Sequence, residues 1–190
     1  MKSIVKTAAA LSFSLFAFSA FADTTVNATG VNQDQSGALN SQALDLGVTA
    51  NGTFAGSTNT VNATNVNQSQ SGALNTQSME IGKATSGTFS GATANTTVNN
   101  VNQSQSGALN SQSMEIGKAE AGTFAGATAN VTANNITQSQ SGALNSQVMQ
   151  VGVAKGGTFV GANVNVNANN ITQSQSGALN SQATRIGVEQ

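Results

Sequence analysis

VNQSQSGALNTQSMEIG, at residues 66–82, is the stretch from which the fold can be read. Val66, Gln68 and Gln70 fall on one face at period two. After a four-residue break, Asn75, Gln77, Met79 and Ile81 do the same. Such alternation marks strands, because successive side chains of an extended chain point to opposite faces. The break reads SGAL and contains Gly72, which suits an arc that turns the two inner faces toward each other. Helix is the losing reading: Gly, Asn, Ser and Thr are poor helix formers, and no stripe of period 3.6 is long enough.

The same word recurs. SGALN starts at Ser36, Ser71, Ser106, Ser141 and Ser176, always 35 residues apart. The surrounding core words occupy residues 31–47, 66–82, 101–117, 136–152 and 171–187. A second mark, GTF, places Phe54, Phe89, Phe124 and Phe159 at one repeat position, and Met79, Met114 and Met149 share another. Upstream, Val61 and Ala63 alternate, as do Val164, Val166 and Ala168. No insertion or deletion disturbs the period, which suits identical layers stacked in register. The expected fold is all-β: a β-helix-like β-solenoid of five 35-residue repeats, each with three or four short strands. At about 4.8 Å per layer the stack would be roughly 24 Å tall.

Stacked repeats turn each inward position into a ladder. One expected ladder is Gln35, Gln70, Gln105, Gln140 and Gln175. A second is Asn40, Asn75, Asn110, Asn145 and Asn180, and a third is Gln42, Gln77, Gln112, Gln147 and Gln182. Each side-chain amide in such a row is expected to donate to one neighbour and accept from the other. That satisfies buried polar groups that would otherwise cost about 1–3 kcal/mol each. The Phe row reads as packing.

Composition agrees with an amide interior. Leu, Ile, Val and Phe make up less than about a fifth of residues 23–190, below the usual share for an oily core. Lys83, Lys118, Lys155 and Arg185 face seven acidic residues, so the charge is low and neither disorder by self-repulsion nor a nucleic-acid footprint is indicated. The chain has no Cys, His, Pro, Trp or Tyr. Disulfide staples are therefore excluded, and no residue is barred from a hydrogen-bond ladder.

Residues 1–22 read as a signal peptide. Lys2 and Lys6 form a basic start, an apolar run extends from Ala8 to Phe18, and Ala20-Phe21-Ala22 fits the small-x-small cleavage rule. The run is shorter than the ~20 residues needed to span a bilayer. Residues 23–190 are then a single repeat domain, exported through the periplasm to an extracellular or cell-surface location.

Catalytic chemistry finds few groups to use. Asp45, Glu80 and Glu115 share one repeat position and are expected to form a row of like charges facing water. Nothing recruits a nucleophile or an oxyanion hole, so no enzyme, metal or cofactor is expected. The same position continues as Gln150 and Arg185, so the row runs from acid to base. Stacking the fifth layer of one molecule on the first of the next would place Arg185 about 4.8 Å from Asp45. Asp34 adds negative charge at that end.

The repeat words resemble known ones. Q-x4-N, as Gln35 to Asn40 and in every later copy, is similar to curlin repeats. G-x-x-N-x-Q, as Gly37, Asn40 and Gln42, resembles the Fap-type fibre subunits of pseudomonads. The resemblance spans all five copies. Curlin repeats are shorter and carry a further Gln where this chain has Leu46, Ile81, Ile116, Val151 and Ile186. Fap-type subunits carry a Cys-containing tail, which is absent here. The resemblance implies a secreted functional amyloid serving biofilm cohesion and surface adhesion.

Both terminal copies keep the core words, so flat strand edges are expected at both ends. Such edges invite another molecule and build an open filament. The expected partner is the chain itself, with a dedicated export or nucleation apparatus. Two alternatives stand beside this. One is a monomeric surface-binding β-solenoid, an adhesin or an ice binder using Thr53, Thr88, Thr123 and Thr158. The other is a minor or nucleator subunit of another fibre.

Overall fold

Alternating small polar and branched apolar residues give successive layers matching strands. The computed structural model describes residues 10–16, 23–37, 39–50 and 52–187. Strand β1 is Ala10–Phe16. The first layer holds β2 (Thr24–Thr29), β3 (Asn32–Ser36), β4 (Ser41–Ala50) and β5 (Thr53–Ala55). The second holds β6 (Thr58–Ser71), β7 (Thr76–Ile81), β8 (Ala84–Thr85) and β9 (Thr88–Ser90). The third repeats this as β10 (Thr93–Ser106), β11 (Ser111–Ile116), β12 (Ala119–Glu120) and β13 (Thr123–Ala125). The fourth has β14 (Thr128–Ser141), β15 (Ser146–Val151), β16 (Ala154–Lys155) and β17 (Thr158–Val160). The fifth has β18 (Asn163–Ser176) and β19 (Ser181–Ile186).

These layers form a β-solenoid of five turns. Each strand pairs in parallel with its counterpart one repeat away, so Val101 lies between Val66 and Ile136, and Met114 between Met79 and Met149. The long strands stack as β2 and β3, β6, β10, β14, β18. The strands after the arc stack as β4, β7, β11, β15, β19, and the GTF strands as β5, β9, β13, β17.

The long strands differ from the short ones expected, and one residue type accounts for it. Asn100 has φ of 54° and is skipped in the pairing register; Asn65, Asn135 and Asn170 share this conformation. A single left-handed residue reverses the inside–outside phase without ending the ladder. Val61 and Ala63 before it, and Val66, Gln68 and Gln70 after it, all become buried. Asn tolerates this backbone well.

The core is two rows thick. Leu44, Leu46, Met79, Ile81, Met114, Ile116, Met149 and Val151 from one sheet meet Val61, Val66, Val98, Val101, Val131 and Ile136 from the other. A second cluster gathers Phe54, Phe89 and Phe124 with Ala92, Ala119 and Ala127. Burying a Met or Ile side chain in this way contributes about 1.5–3 kcal/mol.

The arcs hold two strained positions. A Cβ on Gly72, whose φ is +120°, would lie 1.7 Å from the Gly37 carbonyl oxygen, so only glycine permits the layer spacing there. Two residues later the backbone is left-handed at Leu39, Leu74, Leu109, Leu144 and Leu179, with φ of 55–60°. A non-glycine residue held there costs on the order of 1–3 kcal/mol.

The first layer carries an added strand. β1 pairs in parallel with β4, from Ala10 opposite Ser41 to Leu15 opposite Leu46. In the full chain residues 10–16 therefore occupy this edge, whereas the bare edge expected from the sequence is that of residues 23–190 alone. The expected cleavage site at Ala20–Ala22 lies outside the described residues.

Candidate functional site

The feature that repeats through the whole stack is its set of amide rows. Gln70, Gln105, Gln140 and Gln175 each donate from Nε2 to the Oε1 one layer below, at 3.3, 2.9, 2.9 and 3.1 Å, with Gln35 as the first acceptor. Three of them also reach across the arc: Gln105 to Asn75 O, Gln140 to Asn110 O and Gln175 to Asn145 O, at 3.0–3.1 Å. The row thus ties layers to one another and the two sheets together.

A further row was not anticipated. Gln68, Gln103, Gln138 and Gln173 donate to the Gln below them at 2.8–2.9 Å, starting at Gln33. Gln68, Gln103 and Gln138 are fully buried. Each also donates across the layer, to Ser78 O, Ser113 O and Val148 O, at 3.1–3.2 Å. The signal was present in the sequence, since Gln68 shares the face of Val66 and Gln70.

The row beginning at Gln42 lies on the opposing sheet. Gln77 meets Gln42 at 2.8 Å, and Gln182 meets Gln147 at 3.2 Å. Gln112 and Gln147 fit better with their amides turned over. Gln112 then donates to Ser139 O at 3.2 Å and accepts from Gln105 N at 3.2 Å. Between Gln112 and Gln147 the donor direction is then opposite to that in the other two rows.

The Asn row works differently from expectation. Its side chains do not bond to one another. The backbone N–H of Asn40, Asn75, Asn110 and Asn145 donates to Oδ1 of Asn75, Asn110, Asn145 and Asn180 in turn, at 3.0–3.1 Å. The physical reason is position: these residues end the arc, where the backbone N–H lacks a ladder partner and a short side chain reaches it. Their Nδ2 atoms, from Asn40 to Asn145, are buried without a partner.

The Phe row is a regular stack. Adjacent rings from Phe54 to Phe159 lie 4.7–4.9 Å apart, within 7° of parallel. The Thr row beside it, Thr53, Thr88, Thr123 and Thr158, is exposed. The space enclosed near Phe89, Phe124, Val131 and Lys118 is about 50 Å³, far below the ~300 Å³ at which small-molecule sites begin.

The acidic row also corrects its expectation. It is not a solvated line of like charges. The Glu115 side chain is 12% exposed and that of Lys118 only 5%. Lys118 lies 2.8 Å from Glu115 and 3.0 Å from Glu120. Lys83 lies 2.8 Å from Glu80 and 3.0 Å from Glu115. Burial would raise the Glu115 carboxyl, but the bonds to Lys118 and Lys83 outweigh it and hold the group below its usual range. Burial likewise opposes charge on Lys83, and its bonds to Glu80 and Glu115 overcome that and hold it above its usual value.

Asp45 and Arg185 stand at opposite ends of this row, in β4 and β19. Asp45 pairs in register with Glu80, and Arg185 with Gln150. Among the described residues there is no cluster of His, Cys, Asp or Glu suited to a metal ion, and no helix long and apolar enough to cross a membrane. Comparison with protein families, curated proteins and solved structures finds no match to this chain.

Proposed function

We propose that this chain is a secreted structural subunit that stacks head to tail into extracellular amyloid-like fibres of a biofilm matrix. It is neither an enzyme nor a nucleic-acid binder in this reading, and its main partner is another copy of itself. The observation that carries it is that the glutamine rows run through both end layers. The fifth layer keeps Gln173, Gln175 and Gln182 in the rows that begin at Gln33, Gln35 and Gln42. A first layer placed on it would donate to Gln175 as Gln175 donates to Gln140. The parallel, 35-residue register that joins the fourth layer to the fifth would then continue between molecules. Arg185 would meet Asp45 across that junction.

The edge of β4 accepts an added parallel strand, since β1 lies on it. Leader removal would open that edge to the fifth layer of a second copy. Placement of the uncharged amide rows also favours one partner over many. Only a stack with the same spacing matches every donor with an acceptor.

The decisive measurement is seeded growth. The exported chain is followed for polymerisation with and without fragments of its own fibres. Growth that seeds accelerate, with fibre diffraction at about 4.7–4.8 Å and about 10 Å, supports the proposal. A monodisperse chain that ignores seeds defeats it and favours a monomeric surface-binding solenoid.

A further inference from the structure

The outside of the stack carries one continuous apolar line. Leu74, Leu109 and Leu144 are each 48% exposed, and Leu39 and Leu179 at the ends are 59% and 81% exposed. The other large exposed apolar residues among those described, Val160 and Ile186, both lie in the last two layers and form no row.

Backbone geometry makes this line unusual. Most left-handed positions of the chain carry Gly or Asn, the residue types that tolerate them. The exceptions among the described residues are Ser86, Ala121 and the leucines, and only the leucines recur at one position in all five layers. Their backbone needs the turn: Leu39, Leu74, Leu109 and Leu144 donate N–H to the carbonyl of Ala73, Ala108, Ala143 and Ala178 at 2.9–3.0 Å. The turn does not need leucine. Asn would hold the same conformation with less strain and better hydration. A strained, solvent-facing leucine kept in every layer points to a use for the side chain.

We propose that the row Leu39, Leu74, Leu109, Leu144 and Leu179 is a lateral docking stripe, and that its occupant is the same row on a second stack of this chain. The inference rests on the head-to-tail reading. Its spacing selects the partner: leucines one layer apart, about 4.8 Å, are all met only by a surface with that repeat. The SGALN word contains no ionisable group, so two arcs close on each other without burying charge. Identical side chains at this spacing interdigitate as dry interfaces between paired stacks.

Area sets the order of events. Five partly exposed leucines fall well short of the ~800 Å² per partner of a stable interface. Two single subunits therefore stay apart. Each added subunit lengthens the stripe by five leucines, so pairing begins only once stacks have grown.

The test replaces all five leucines with Asn in the full chain, expressed with its own leader, so that the left-handed turn is kept. A second variant carries Met at the same positions. Seeded elongation rates, filament widths by electron microscopy and binding to phosphatidylcholine vesicles are compared. The inference expects elongation within about twofold for all three proteins, paired filaments for parent and Met variant, and single filaments for the Asn variant. Three results overturn it: paired filaments in the Asn variant, single filaments in the parent, or Asn-sensitive vesicle binding with unchanged pairing. If the parent forms no filaments even with seeds, the head-to-tail reading itself fails.

Discussion

Lys83 Nζ lies 3.0 Å from Glu115 Oε2, one layer further along the stack. The pair joins layers through side-chain charge rather than through the backbone ladder. Glu115 is held below its ordinary range, so its contribution to stability is present above the unfolded value of about 4.3 and is lost as pH falls toward the folded value. Lys83 is held above its ordinary range, so its contribution is intact below about 10.4 and is lost only as pH rises beyond that. The urea midpoint should be flat between about pH 6 and 9 and fall below about pH 4.5. A midpoint unchanged down to pH 3 would contradict the paired geometry.

Gln103 tests the amide interior. It donates to Gln68 at 2.8 Å and to Ser113 O at 3.1 Å, and accepts from Gln138 at 2.8 Å. Gln103→Ala leaves several buried polar groups without partners, at about 1–3 kcal/mol each. Equilibrium unfolding should show a loss of at least ~2 kcal/mol. A loss under ~0.5 kcal/mol would mean that water replaces the row, as it does at the surface.

Glycine at the arc is a matter of layer spacing. A Cβ on Gly107 would meet Gly72 O at 1.6 Å, whereas one on Gly91 would meet nothing within 4 Å. Gly91 has φ of +59°, so Gly91→Ala reads the cost of a left-handed alanine alone, about 1 kcal/mol, whereas Gly107, at +118°, adds to the contact a backbone region essentially closed to side chains. Gly107→Ala should cost at least ~3 kcal/mol more or prevent folding, as read by circular dichroism and urea melts. Similar stability of the two variants would refute the close arc contact.

Charge at the ends should steer growth. Asp45→Arg places like charges across the proposed junction with Arg185 and should slow seeded elongation severalfold. Adding Arg185→Asp should restore the rate. Equal rates for all three proteins would remove this pair from the interface.

Removal of the proposed leader is the remaining handle. A chain blocked at the expected cleavage site keeps β1 on β4 and should add to fibre ends more slowly than one that begins at Asp23. Hydrogen exchange at residues 41–46 reads the pairing directly, and equal protection with and without the leader would exclude it.

Much of this was legible because a 35-residue period with no slips fixes register, and period two fixes faces. The arcs, the Phe row and the Gln35 row follow from those two facts. Lys83 and Lys118 were not read as partners of the acids because they follow Gly82 and Gly117. Left-handed φ of 65° and 61° at those glycines breaks the alternation, and no period then says where the next side chain points. Leu39 was hidden for the same reason. An apolar residue in a turn reads as buried or exposed only once the backbone conformation is known. The Asn row misled because its side chains satisfy the backbone rather than each other, a choice made by the shape of the arc.

The amide bonds between side chains of different layers, from Gln68 with Gln33 to Gln182 with Gln147, all span 35 residues and thus join nearest neighbours. The cross-section consequently has no information about how many copies lie above or below it. Copy number is then a free variable of this architecture: whole units could be gained or lost by recombination between near-identical stretches of DNA, changing the length of the rod while leaving its outline untouched.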